Sequence, residues 1–253
     1  MNALYFKQYQ FSPKWYFVLA TIFFCALFIR LGFWQLHRAH EKEQLQTQFN
    51  TRLHTAAIPL TQLSAHPDIH YYPIWATGYY DNAHTIILDN KIQDHQVGYD
   101  ILTPFIVDSS ASSAVHLNTK RLLVDRGWVP ANIDRRILPS IPAIHGQQRI
   151  MGHIYIAPGK TFVLSNELDH LTWPIRVETL DFKQLEKISG APLYPFVLWL
   201  SPEASDGFLR NWQPVSISSV NNKGYAVQWF AFSVALIIIF FALTVKKKQQ
   251  SQP

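Results

Sequence analysis

Two apolar runs, one toward each end, constrain this chain more than anything between them. Residues 15–36, WYFVLATIFFCALFIRLGFWQL, carry one charge, Arg30, and residues 225–245, YAVQWFAFSVALIIIFFALTV, carry none. A helix needs about 20 apolar residues to cross the hydrocarbon of a bilayer. In hydrocarbon an isolated run of that length can satisfy its own amides only as a helix. Both runs are therefore predicted as transmembrane helices, with residues 37–224 left outside as a domain-sized segment. A cleaved signal peptide would place small residues after the first run, but Trp34, Gln35 and Leu36 stand there, which predicts a retained anchor.

Charge sets the orientation. The net charge is +5, yet Lys7, Lys14, Lys246, Lys247 and Lys248 account for all of it, and the other 17 Lys and Arg are matched by 17 Asp and Glu. A nucleic-acid binder would concentrate basic charge on its folded domain, so that class is set aside. Lysines before the first run and after the second predict that both termini are cytoplasmic. Residues 1–14 are then a cytoplasmic N-terminus and residues 246–253 a cytoplasmic basic tail. The large segment faces the periplasm of a bacterium, in its inner membrane, or the equivalent space if the membrane is the mitochondrial inner membrane. The single cysteine, Cys25, excludes disulfide scaffolds and thiolate clusters.

The outer segment reads as strands. Apolar or alternating stretches bounded by turn residues occur at Tyr72–Tyr80, Thr85–Asp89, Tyr99–Val107, Arg121–Val129, Arg149–Ile156, Thr161–Leu164, Ile175–Glu178 and Tyr194–Leu200. One short helix is predicted at Asp181–Ile188, with Asp181 as N-cap and Gly190 as stop. The polar run Arg38–Arg52 continues the first span outward, and Asp108–Ser113 is a loop. The expected fold is two transmembrane α-helices flanking a β-rich α+β external domain.

A search for chemistry returns no nucleophile elbow, phosphate loop, H-E-x-x-H or C-x-x-C pattern. His37 and His40 form an i, i+3 pair, too few ligands for a catalytic zinc; the other histidines are scattered singly. Arg30 stands out because ionisable groups inside spans are costly and functional by default. If Trp34 marks the outer interface, Arg30 lies about 6 Å deeper by helix rise. Neither span contains Asp or Glu. Its guanidinium either snorkels to headgroups or meets a carbonyl, Gln228, or a carboxylate on a partner or cofactor such as a haem propionate. Tyr225, Gln228, Trp229 and Phe232 share one face of the second span, suited to packing on the first or to gripping a flat ligand. Arg30, Tyr225 and Gln228 are the candidate cofactor-binding residues. At Gly127 a strand glycine predicts a bulge, with Trp128 in the core. Arg126 is either solvated, paired with Asp125 or another domain acid, or a partner contact, and the structural pair is preferred.

Three segments carry a resemblance: LGFWQLHRAHEK (Leu31–Lys42), LLVDRGWVP (Leu122–Pro130) and GYAVQWF (Gly224–Phe230), with lesser matches at Gly78-Tyr79, Asp89-Asn90 and from Gly98-Tyr99 to Thr103-Pro104. In this order they are similar to the surfeit locus protein 1 family of cytochrome c oxidase assembly factors. Its motif positions here are Gly32, Trp34, Gln35, Arg38, Arg126, Gly127, Trp128, Tyr225, Gln228 and Trp229. The resemblance implies a non-enzymatic membrane chaperone of the respiratory chain. Such a chaperone would meet cytochrome c oxidase subunits and assist haem a insertion into the catalytic subunit, with transient haem a contact. Bacterial members are linked to haem a through a histidine just before the second span; Asn222 or Lys223 stands at that place here.

Overall fold

The computed structural model describes residues 4–6, 9–108, 120–156, 172–214 and 219–247. In chain order the elements begin with β1 (Leu4–Phe6), β2 (Tyr9–Phe11), α1 (Trp15–Leu53), β3 (Ile58–Pro59), β4 (Pro73–Tyr80), β5 (Ile86–Gln93) and β6 (Gln96–Val107). They continue with β7 (Arg121–Pro130), β8 (Gln148–Tyr155), β9 (Ile175–Val177), α2 (Phe182–Ser189), β10 (Leu193–Leu200), α3 (Ser219–Thr244) and β11 (Val245–Lys247). The chain divides into two compact units, one formed by residues 1–48 with 214–253, the other by residues 49–213.

In the first unit α1 and α3 form an antiparallel hairpin. The less exposed positions of α1 include Val18, Thr21, Cys25, Phe28, Gly32, Gln35 and Ala39; those of α3 include Ser219, Asn222, Ala226, Trp229, Ser233, Leu236 and Phe240. Steps alternating between three and four residues put these positions on one face of each helix, the seam of the pair. Cys25 Sγ lies 3.8 Å from the Ser233 carbonyl oxygen. The Phe28 ring packs on Trp229 at 5.7 Å and Phe232 at 6.1 Å. A Cβ at Gly32 would come within 2.6 Å of the Phe230 ring. Only 6% of the most apolar stretch of α1 and 11% of that of α3 is buried within the protein, as befits helices solvated by lipid rather than by a protein core.

Both helices outrun their apolar segments. α1 continues to Leu53 through the polar run, as its sequence predicts, and α3 begins at Ser219, ahead of Tyr225. Hydropathy marks where lipid starts, not where the helix does. At the other end of the hairpin, β2 pairs antiparallel with both β1 and β11, and the Phe11 ring sits 6.3 Å from Phe240 and from Phe241. Strands of three residues leave no periodicity to find, and this small sheet was not foreseen.

In the second unit five strands close on themselves. β4 pairs with β8, β8 with β10, β10 with β7, β7 with β6, and β6 returns to β4. All pairs are antiparallel except β10 with β7. Side chains on a strand alternate, so one row of each turns inward and fills a small barrel. The rows are Ile74 and Ala76, Ile150 and Ile154, Phe196 and Leu198, Leu122 and Val124, and Phe105, with Leu60 and Leu63 packed against them. Closure depends on Gly78, whose Cβ would strike the Ile106 carbonyl. β6 is long enough to leave the barrel: its first half pairs with β5, β9 joins β5 in parallel, and Ile87, Tyr99 and Ile101 form a second core there.

The predicted elements stand, with shifted ends. β5 runs past Asp89 to Gln93 because Asn90, at φ 57°, opens a bulge after which pairing resumes. Asp94 and His95, both at positive φ, make the two-residue turn into β6. α2 is capped by Asp181, which accepts from the Lys183 and Gln184 amides at 3.0 and 3.2 Å, and ends at Gly190 at φ 66°. The stretch Thr161–Leu164 lies outside the described residues, as does most of Asp108–Ser113.

Candidate functional site

Where the two long helices extend past their apolar stretches, a polar layer joins them. Asn222 stands at its centre: its Nδ2 donates to Gln35 Oε1 at 2.6 Å, and its Oδ1 accepts from Lys42 Nζ at 2.6 Å. Next to it Lys223 Nζ lies 2.6 Å from Glu43 Oε1, which also accepts from Ser219 Oγ at 3.2 Å. The Lys223 hydrogen bond is the main reason the Glu43 carboxyl is held below the ordinary glutamate range. Asn222 and Lys223 both lack an ordinary haem-iron ligand atom, and both are engaged in this layer. The place before the second span therefore does not fit axial haem ligation.

Arg30, Tyr225 and Gln228 do not converge. Arg30 falls midway between the seam residues of α1 on the far side of the helix, pointing away from α3, and no described residue gives it a hydrogen bond or ion pair. Tyr225 is 52% exposed and Gln228 is also exposed, on the flank and outer side of α3. Of the aromatic stripe on α3, Trp229 and Phe232 pack on Phe28, while Trp34 is 53% exposed and faces outward. His37 lies 3.3 Å from Glu41, and His40 bonds Gln44 at 3.0 Å. Arg38 also bonds Glu41, at 2.6 Å.

The motif LLVDRGWVP folds as β7 and its bulge. Gly127 sits at φ 114°, and a Cβ there would come within 2.8 Å of the Leu209 carbonyl oxygen. This open backbone lets the 207–210 segment pair with the strand: Trp128 N donates to Leu209 O at 2.8 Å, and Leu209 N returns a bond to Trp128 O at 3.2 Å. Asp125 Oδ1 accepts from Gly127 N at 3.0 Å and pins the bulge. Trp128 is buried, as expected, with its indole donating to Lys91 O.

Among the described residues Arg126 forms no close ion pair with Asp125 or another acid, the preferred expectation, although the charge of Asp206 acts on it. It continues the inward row of β7, opposite to Asp125, and its guanidinium donates to the Pro142 carbonyl at 3.2 Å and the Asp206 carbonyl at 3.4 Å. It stacks over Tyr80 and Phe208 at 5.6 and 5.2 Å. Three segments distant in sequence are thus gathered at one end of the barrel, by carbonyls and rings where a carboxylate was anticipated. Their distance along the chain is why no local signal announced them.

Asp125 is fully buried near Asp100, which pairs with Lys91 at 3.5 Å. Burial, then the charge of Asp100, push the Asp125 carboxyl well above its ordinary value. Asp89 of the lesser motif is 9% exposed and forms ion pairs with Arg135 and, at 3.7 Å, Arg176.

An aromatic assembly went unforeseen. Trp212, Trp199 and Tyr155 stack in sequence at 5.2 and 4.2 Å, nearly parallel, with Tyr71 and Phe49 against Trp199. His70 stacks on Tyr71 at 3.9 Å, and burial lowers the affinity of His70 and His153 for a proton. Among the described residues no three His, Cys, Asp or Glu side chains gather as a metal site.

Fold and side chains together define a two-span membrane protein with an external β-barrel domain, its matched motifs engaged in packing and interhelical bonding. The SURF1 family model matches residues 22–234, and the chain belongs to that family. It is similar to a SURF1-like protein of Rickettsia bellii, 26% identical over 224 residues and covering 85% of each chain. A SURF1-like protein of Rickettsia felis is 25% identical over 232 residues, 88% of this chain and 94% of that one. An uncharacterized SURF1-like protein of Mycobacterium tuberculosis is 26% identical over 132 residues, 50% of this chain and 44% of that one.

Proposed function

We propose that this protein is a non-enzymatic assembly chaperone for haem-copper cytochrome c oxidase in the inner membrane, acting when haem a enters the catalytic subunit. The family match, from within the first span through the barrel into the first half of the second span, carries this reading. The lysines before the first span and after the second support termini in the cytoplasm and the barrel on the opposite side. Deleting the chain is expected to lower the haem a band of membranes in reduced-minus-oxidised spectra, together with oxidase activity. Unchanged haem a and activity would sink the proposal.

A second reading, a scaffold that docks oxidase subunits without touching haem, is favoured by one specific observation. Asn222 and Lys223 stand where a ligating histidine is implied, and both are held by Gln35, Lys42 and Glu43. Titrating detergent-purified protein with haem a separates the two: a shifted Soret band supports direct contact, and free-haem spectra with no retention support the scaffold. In the direct-contact case Arg30 is proposed as a contact separate from Tyr225 and Gln228, since it faces away from the helix that carries the other two.

A further inference from the structure

We infer that the outer face of α1 around Arg30 docks a transmembrane helix of another membrane protein, one that carries an Asp or Glu within its span. Trp15 and Trp34, 66% and 53% exposed, bracket about 28 Å of helix, close to the hydrocarbon thickness. Arg30 lies inside that bracket, about 6 Å short of Trp34. Helical side chains lean toward the N-terminus, so the guanidinium leans away from the headgroups nearest to it. The hairpin offers no relief: Arg30 sits opposite the seam with α3, and neither span contains a carboxylate.

The same face is shaped for a helix. Ala26, one turn before Arg30, leaves room for a second backbone; Phe23, 63% exposed, walls one side of the approach, and Phe33, 62% exposed with its ring edge-on to Phe230 of α3 at 5.5 Å, marks the flank. A guanidinium without water or a partner is costly in lipid, and a carboxylate on an approaching helix meets it with two parallel hydrogen bonds. Charge complementarity thus selects an acidic span over an apolar one.

The test uses the full-length protein in its native membrane, with a photo-crosslinking amino acid at Ala26 or Phe33 and, as controls, at Val227 or Val234 on the outer side of α3. Adducts at 26 and 33 with a membrane protein bearing Asp or Glu within a span are expected. Their yield should fall about tenfold or more with Arg30→Leu and by less with Arg30→Lys, which keeps the charge and loses the paired hydrogen bonds. Arg30→Glu should abolish them, and reversing the partner's acid to Lys should restore them. Oxidative coupling of Cys25 to a cysteine at Ser233 verifies that the hairpin of each variant is intact. Adducts with lipid alone, with a second copy of this chain, with a span lacking acids, or of a yield indifferent to Arg30→Leu would overturn the inference, as would no protein adduct at either position. The inference stands apart from the oxidase reading: an acidic span from an unrelated membrane protein would uphold it and weaken only that reading.

Discussion

Burial keeps the carboxyl of Asp125 protonated at pH values where an exposed aspartate has ionised. The folded state then binds a proton that the unfolded chain has released, so this residue's contribution to stability is full in acid. It is lost as pH rises from the ordinary aspartate value toward the raised one. Asp100 acts in the same direction, through burial opposed by Lys91. Asp125→Asn keeps an oxygen for the Gly127 amide and removes the ionisation. Thermal unfolding of the purified chain at pH 5 and pH 8 should show a smaller loss on going to pH 8 in the variant than in the wild type. An equal loss would mean that Asp125 titrates as it would in water. Gly127 is constrained by backbone and space together. Gly127→Ala should cost about 1–3 kcal/mol, read as a melting temperature lower by several degrees.

At the scale of elements, the hairpin makes a sharp geometric prediction because the chain has a single cysteine. Cys25 faces Ser233 across the seam, whereas Val234 is 57% exposed. Oxidant should cross-link Cys25 in a Ser233→Cys variant and leave Val234→Cys uncoupled on non-reducing gels. The reverse would require a different face of α3 on the seam. The cap of α2 is similarly separable: Asp181→Ala removes an acceptor from the Lys183 and Gln184 amides and should cost about 1 kcal/mol. In the barrel, by contrast, single strands are not independent, since each inward row touches rows from strands far away in sequence.

The whole molecule is two units whose forces differ, a helix pair solvated by lipid and a barrel that buries its own core. The proposed orientation is tested by labelling. A cysteine at Ile133, which is fully exposed, should react with a membrane-impermeant maleimide in cells whose outer barrier is opened, in a Cys25→Ser background. One at Lys248 should react only after the inner membrane is lysed. The sequence by itself determined the spans, most strands and the capped helix, because apolar run length, alternation and an Asp-to-Gly bracket are local signals set by backbone hydrogen bonding and side-chain period. It could not decide that the strands close through Gly78, that Arg126 serves carbonyls while Asp125 pins a bulge on the opposite face, or that Trp212, Trp199 and Tyr155 stack. Those depend on which distant segments meet, and burial then changes what each side chain can do. Arg30 shows the division most plainly: its cost was legible in an apolar run, but only the packed hairpin shows that it faces away from α3.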